Sequence, residues 1–293
     1  MKSNRTGPRI GVTLSLFFTL GLTSSAEDPT RWSFATELAS SGDAENAAIE
    51  FRRIALTDDD AASCGAAYWY SAYQYWRLKQ PELSDKMLDR SEDSGSDLAQ
   101  PIALLRGENA RLTRSWDEAA FHFQSVLNRK PSPEMRAYAA RSLAAADMQR
   151  GHMAEARDVI RAEMPHPDDS LAALDTYERG KDRDPVLGGM LGLIPGLGYA
   201  YSGEYANAFR SILLNALFGF GMYHTGSRDQ WGAFAGITFF EITWYSGSIY
   251  GGVDAAHRYN LNRQEACEDA IRGTASFEPD WIQIPLIKLK YTF

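Results

Sequence analysis

From Trp32 to about Met164, apolar positions recur with helical spacing, and the pattern repeats along the chain. Four small anchor positions, Ala47, Ser84, Ala119 and Ala156, follow one another at intervals of 37, 35 and 37 residues. This is close to the period of a helix–turn–helix repeat. Four residues beyond each anchor stands a larger apolar residue: Phe51, Leu88, Phe123 and Ile160. An i, i+4 pair lies on one helical face. The small member lets two helices approach, and the large member fills the groove beside it. The third unit is the clearest: Trp116 to Val126 is helical in pattern, and Pro131 ends it.

A charged linker, Glu178 to Pro185, closes this region, and the pattern then changes. Three apolar segments follow. Val186 to Tyr201 contains Pro195 and five glycines, so a straight helix is not expected. Ala206 to Tyr223 is interrupted by Arg210 and Asn215. Gly232 to Gly252 carries one charge, Glu241. The last two approach the roughly 20 residues that cross a bilayer. With the link His224–Gln230 they predict a helical hairpin whose two ends return to one side. Glycines at four-residue spacing (Gly188, Gly192 and Gly196; Gly232 and Gly236; Gly247 and Gly251) would let helix backbones touch. Trp231, Trp244, Tyr245 and Tyr250 would mark bilayer interfaces.

The repeats resemble the tetratricopeptide repeat family. Gly107, Ala119, Phe123, Val126 and Pro131 match its pattern, as do Gly42, Ala47 and Phe51 in the first unit and Gly151 and Ala156 in the fourth. The second unit departs from it, with Ser84 at the small position and Pro81 opening its second helix. The resemblance covers about 130 residues and implies an α-solenoid whose concave face binds a protein or peptide; a plain helical bundle is the alternative. Pro195-Gly-Leu-Gly198, Tyr201-Ser-Gly203, Trp244 to Gly251 and Tyr259-Asn260 resemble small uncharacterised bacterial membrane domains with a Pro-Gly-x-Gly and Tyr-x-Gly motif. That resemblance implies membrane embedding and no particular chemistry.

Candidate functional side chains fall into two groups. Within the aromatic run Tyr68 to Trp76, Trp69, Tyr73 and Trp76 share one helical face, as partner-binding anchors or as core between repeats. Asn215, His224 and Glu241 form a candidate intramembrane polar set, because a carboxyl in lipid calls for a partner or a proton. Asp58–Asp60 and Asp168-Asp169 lack calcium-loop spacing and read as helix caps. The five histidines are dispersed, and no metal, cofactor or nucleophile motif is present.

Net charge is −8, which argues against a nucleic-acid partner. Lys2, Arg5 and Arg9, the apolar run Ile10–Leu22 and Ser24-Ser-Ala26 form the three parts of an export signal, with cleavage expected after Ala26. Cys64 and Cys267 could pair in an exported protein, or stand as separate thiols. Residues 282–293 alternate like a strand and resemble the last strand of an outer-membrane barrel, which leaves inner against outer membrane open.

The expected fold class is all-α. A signal peptide (1–26) precedes an α-solenoid of about four helix–turn–helix repeats (27–180), a Gly-rich membrane hairpin domain (181–275) and an extended, β-like tail (276–293). The expected function is a non-enzymatic, membrane-anchored adaptor of the bacterial cell envelope. Its repeat domain would lie in the periplasm and bind an envelope protein, with membrane lipid as the second partner. The alternative is an oligomeric channel or transport component built around Glu241 and Asn215.

Overall fold

A computed structural model describes residues 29–273 together with Phe277. The export signal and, Phe277 apart, the strand-like tail lie outside the described residues, which form helices and their connections with no strand among them. The all-α expectation holds for these residues.

Nine helices form the first half. They are α1 (Pro29–Ser40), α2 (Ala44–Thr57), α3 (Ala61–Arg77), α4 (Pro81–Asp93), α5 (Ala99–Leu112), α6 (Trp116–Leu127), α7 (Pro133–Gln149), α8 (Met153–Glu163) and α9 (Asp168–Arg179). The first eight pack mainly on their neighbours in chain order, whereas α9 packs mainly on the last helix of the second half. The four anchors sit on α2, α4, α6 and α8 and are 0 % exposed. Their i+4 partners Phe51, Leu88, Phe123 and Ile160 are at most 2 % exposed. Gly107 of α5 is small because Phe123 covers it: a Cβ there would lie 2.6 Å from the Phe123 ring.

One joint connects the helices of every pair. Gly42, Lys79, Arg114 and Gly151 all have positive φ, between 58 and 89° for Gly42, Arg114 and Gly151 and 57° for Lys79. Each stands five residues before its anchor. The amide after each bonds back to a carbonyl in the preceding helix: Asp43 to Leu38, Gln80 to Tyr75, Ser115 to Ala110 and His152 to Asp147. This is the six-to-one bond of the Schellman helix end. The same joint recurs later at Gly203 and Asp229, with Glu204 bonded to Tyr199 and Gln230 to Thr225. Of the two acidic clusters, the first holds a cap, as expected: Asp60 accepts from the Ser63 amide at the start of α3. The second departs from the expectation, because Asp168 and Asp169 lie within the first turn of α9 and the cap position is Pro167, which has no side chain to accept an amide.

The second half comprises α10 (Pro185–Leu191), α11 (Leu197–Tyr201), α12 (Tyr205–Gly226) and α13 (Trp231–Arg272). Asp184 caps α10 through the amides of Val186 and Leu187. The break between α10 and α11 is the one Pro195 and its glycines predict. The expectation for the third segment needs extension. It does not stop at Gly252, but continues as one helix of 42 residues. The reason is that its polar C-terminal part has a face of Ala255, Ala256, Cys267 and Ile271, all buried. That part packs against α7 and α9, where Cys267 and Ile271 join Met148, Ile160 and Leu174 in a shared core.

The glycine motifs hold this half together by backbone contact. A Cβ on Gly252 would lie 2.3 Å from the Gly188 carbonyl oxygen, and one on Gly198 would lie 2.8 Å from the Gly252 Cα. Gly196, at φ 85°, starts α11 in a left-handed conformation and lies close under the Ala208 carbonyl. By contrast, Gly232, Gly236 and Gly247 have nothing within 4 Å, so only part of the predicted spacing makes helix contacts.

Candidate functional site

The first candidate is the aromatic face of α3. Trp69, Tyr73 and Trp76 do share a face of α3, as their spacing predicts: Tyr73 stacks on Trp69 (centroids 5.7 Å) and on Trp76 (5.5 Å). Trp69 and Tyr73 are buried and Trp76 is half-buried. What covers them is a residue of the same chain. Phe277, five residues beyond the end of α13, is 5 % exposed. Its ring lies 5.5 Å from Tyr73, 5.1 Å from Trp76 and 6.4 Å from Trp69. Tyr138 of α7 adds a fourth wall at 5.5 Å. The Tyr73 hydroxyl donates to the Phe277 carbonyl oxygen at 3.1 Å.

A buried charge cluster adjoins this pocket through Tyr138. Glu108 of α5 is fully buried. Its Oε1 accepts from the Tyr138 hydroxyl at 2.8 Å and from Arg272 Nη2 at 3.3 Å. Arg111 donates to the other oxygen through Nε and Nη2, both at 2.9 Å. Arg272 Nη2 also donates to the Tyr138 oxygen at 2.8 Å. Glu268 of α13 lies 3.6 Å from Arg111 and 3.9 Å from Arg272, and accepts from Gln149 at 2.9 Å. Burial, with Glu108 beside it, keeps the Tyr138 hydroxyl protonated well above its ordinary range. No local sequence pattern marks these residues, since Arg272 lies 164 positions from Glu108. The cluster ties α5, α7 and the end of α13 into one unit.

The second candidate is the helical pair. It is assembled inside out. The buried positions of α12 are Ala208, Ser211, Asn215 and Thr225, which are small or polar. Its large apolar residues, Phe209, Ile212, Leu213, Leu217 and Phe220, are 53 to 64 % exposed. Among the described residues, nineteen of the twenty-four large exposed hydrophobics lie between Val186 and Tyr250. The seam is polar: Ser211 and Ser248 hydroxyls meet at 3.2 Å, and the Gly196 amide donates to Ser248 at 3.4 Å. A groove of about 420 Å³ between α11, α12 and α13 is lined by Tyr199, Arg210, Phe218, Phe240 and Trp244. No helix among the described residues is long and apolar enough to cross a membrane. Arg210, Asn215 and His224 account for this in α12.

The three residues of the predicted polar set each make their own contacts. Asn215 donates to the Ser211 carbonyl at 2.7 Å, within its own helix. His224 stacks on Phe220 at 5.8 Å near the end of α12. Glu241 is half-buried, with Oε2 unpartnered among the described residues. No hydrogen bond or ion pair joins the three there. No group of three or more His, Cys, Asp or Glu side chains that could hold a metal occurs among the described residues.

Where the two halves meet, Tyr201, Tyr259 and Asn260 of the second motif gather around Arg183. Arg183 lies over the rings of Tyr201 and Tyr259, at 4.9 and 5.0 Å. Asn260 holds the Arg183 backbone at both ends, accepting from its amide at 2.7 Å and donating to its carbonyl at 2.9 Å. Arg258 grips Glu204 with two nitrogens at 2.8 and 2.9 Å. No protein family, curated protein or solved structure matches the chain.

Proposed function

We propose that this chain is a non-enzymatic, membrane-anchored adaptor of the bacterial cell envelope. Its stacked helix pairs serve as a solenoid of the tetratricopeptide kind and recognise a protein partner. α10–α12 and the segment 231–250 of α13 embed their apolar outer surface in the bilayer. The repeat domain lies in the periplasm, in keeping with the export-signal pattern of residues 1–26.

One observation carries the reading: the helical pair buries small and polar side chains while its Phe, Leu and Ile face outward. Soluble monomers rarely expose contiguous apolar patches above a few hundred Å², and nineteen exposed large hydrophobics in one half of the chain call for lipid or a protein cover. Lipid is favoured by the group of polar and aromatic side chains at the base of the pair. Arg183, Tyr201, Tyr259 and the Arg258–Glu204 pair stand where an apolar surface would give way to headgroups.

Flotation with vesicles of phosphatidylethanolamine and phosphatidylglycerol tests the anchor. The full chain is expected to float with the lipid and to resist carbonate. Ile212→Lys with Leu217→Lys, both exposed, is expected to leave it in the soluble fraction. A full chain that stays soluble and monomeric without detergent or lipid would overturn the reading.

A further inference from the structure

We propose that the pocket around Phe277 is a binding site for an aromatic side chain of an extended peptide, and that Phe277 is its exchangeable resident. The inference deepens the adaptor reading and rests on it, because it names what the repeats recognise. The partner's segment carries an aromatic anchor, and it enters by displacing the chain's own.

Three observations carry it. First, the occupant among the described residues is one side chain, Phe277, held by Trp69, Tyr73, Trp76 and Tyr138 at 5.1 to 6.4 Å. These rings come from two helices, and offset or tilted aromatic geometry at this range suits any aromatic residue. Second, a polar contact is made to backbone. The Tyr73 hydroxyl donates to the Phe277 carbonyl, so the pocket reads an aromatic residue together with its main chain, whatever residues flank it. Third, the walls hold spare donors. The indole N–H groups of Trp69 and Trp76 are buried without an acceptor among the described residues, and Trp69 is 0 % exposed. Buried donors of this kind are ordinarily satisfied. The carbonyls of an extended peptide would supply the acceptors.

The arrangement regulates as well as recognises. Arg272 is fixed to Glu108 and Tyr138, so Phe277 is tethered to the rim of its own pocket by a link of a few residues. A short tether sets an effective concentration in the millimolar range. A free peptide with a Kd near 100 µM would then bind the native chain about ten-fold more weakly than a chain lacking the resident. A partner overcomes this by contributing a second contact or by being held at the same membrane.

The test uses the full chain in mild detergent and a fluorescein-labelled peptide of residues 273–281, read by anisotropy. The expected result is saturable binding to Phe277→Ala and about ten-fold weaker binding to the native chain. The same peptide with alanine at its Phe is expected not to bind. Should Phe277→Ala lose its helical circular dichroism, Phe277→Leu is read in its place, since it keeps a buried apolar side chain and removes the ring contacts. A folded variant that fails to bind the peptide, or that binds it no better than the native chain, overturns the proposal and makes Phe277 fixed core. Vesicle flotation fails or succeeds independently of this assay. Peptide binding without flotation would remove the anchor and keep the pocket, and flotation without peptide binding would do the reverse.

Discussion

Glu108→Ala is the sharpest test of how α13 is fastened to the repeats. The carboxylate is fully buried and receives Tyr138, Arg272 and two nitrogens of Arg111. Removing it strands guanidinium groups whose side chains are 13 and 25 % exposed. Breaking a buried pair in this way costs about 3–5 kcal/mol, because the remaining charge stays desolvated. Glu268 stands 3.6 and 3.9 Å from the same two arginines and offsets part of that loss, which places the expected cost near 3 kcal/mol. Arg272→Met alone leaves Glu108 its Arg111 and Tyr138 partners and is expected to cost less. The double variant is the decisive member. It removes the cation along with the anion, so it should be more stable than the sum of the single losses by about 1–3 kcal/mol. Urea unfolding of the full chain in non-ionic detergent, followed by far-ultraviolet circular dichroism, gives all three values. A single Glu108→Ala loss under about 1 kcal/mol, or a strictly additive double variant, refutes the reasoning.

The joints and glycine contacts predict further outcomes. Lys79→Gly and Arg114→Gly relieve a left-handed conformation that costs an L-residue roughly 1–2 kcal/mol, and each should raise stability by up to about 1 kcal/mol after glycine's entropy loss; Gly42→Ala should lower it by about as much, and thermal unfolding reads all three. Gly252→Ala drives a methyl against the Gly188 backbone and should cost about 1–3 kcal/mol in the same scan, whereas Gly247→Ala, with open space around it, should be neutral or slightly stabilising. Cys64 and Cys267 are free thiols. Burial pushes the Cys267 thiol up to about 11, so only about one molecule in a thousand carries the thiolate at pH 8, and maleimide labelling of native protein should be at least about 100-fold slower than after denaturation.

The repeats were legible in the sequence because their information is local. An anchor and its i+4 partner lie within one helical turn of each other, and Ala47 with Phe51 through Ala156 with Ile160 occupy the buried positions their spacing implies. The joints were half legible. Gly42 and Gly151 announce a left-handed turn, while Lys79 and Arg114 adopt the same conformation without the residue that marks it. In the second half the Pro-Gly-x-Gly break was visible, but Gly188, Gly198 and Gly252 could not be told from Gly232 and Gly236. The difference depends on which face meets a neighbour distant in sequence. The same reason hid the length of α13, whose polar C-terminal part has its apolar partners in α7 and α9. Trp69, Tyr73 and Trp76 were identified as a face, but their occupant was not, since a lone Phe277 carries no periodicity.

α13 has a mechanical consequence. At 1.5 Å per residue, its 42 residues make a rod about 63 Å long, with no proline to interrupt it. One end, at Trp231, belongs to the apolar pair, and the other, at Arg272, is bonded to Glu108 of α5 and Tyr138 of α7. Its middle is wedged against α10 and α11 by glycines that leave no slack. A tilt of the rod at its apolar end would, like the swing of a tiller, be felt first at Arg272 and the Tyr138 hydroxyl it holds.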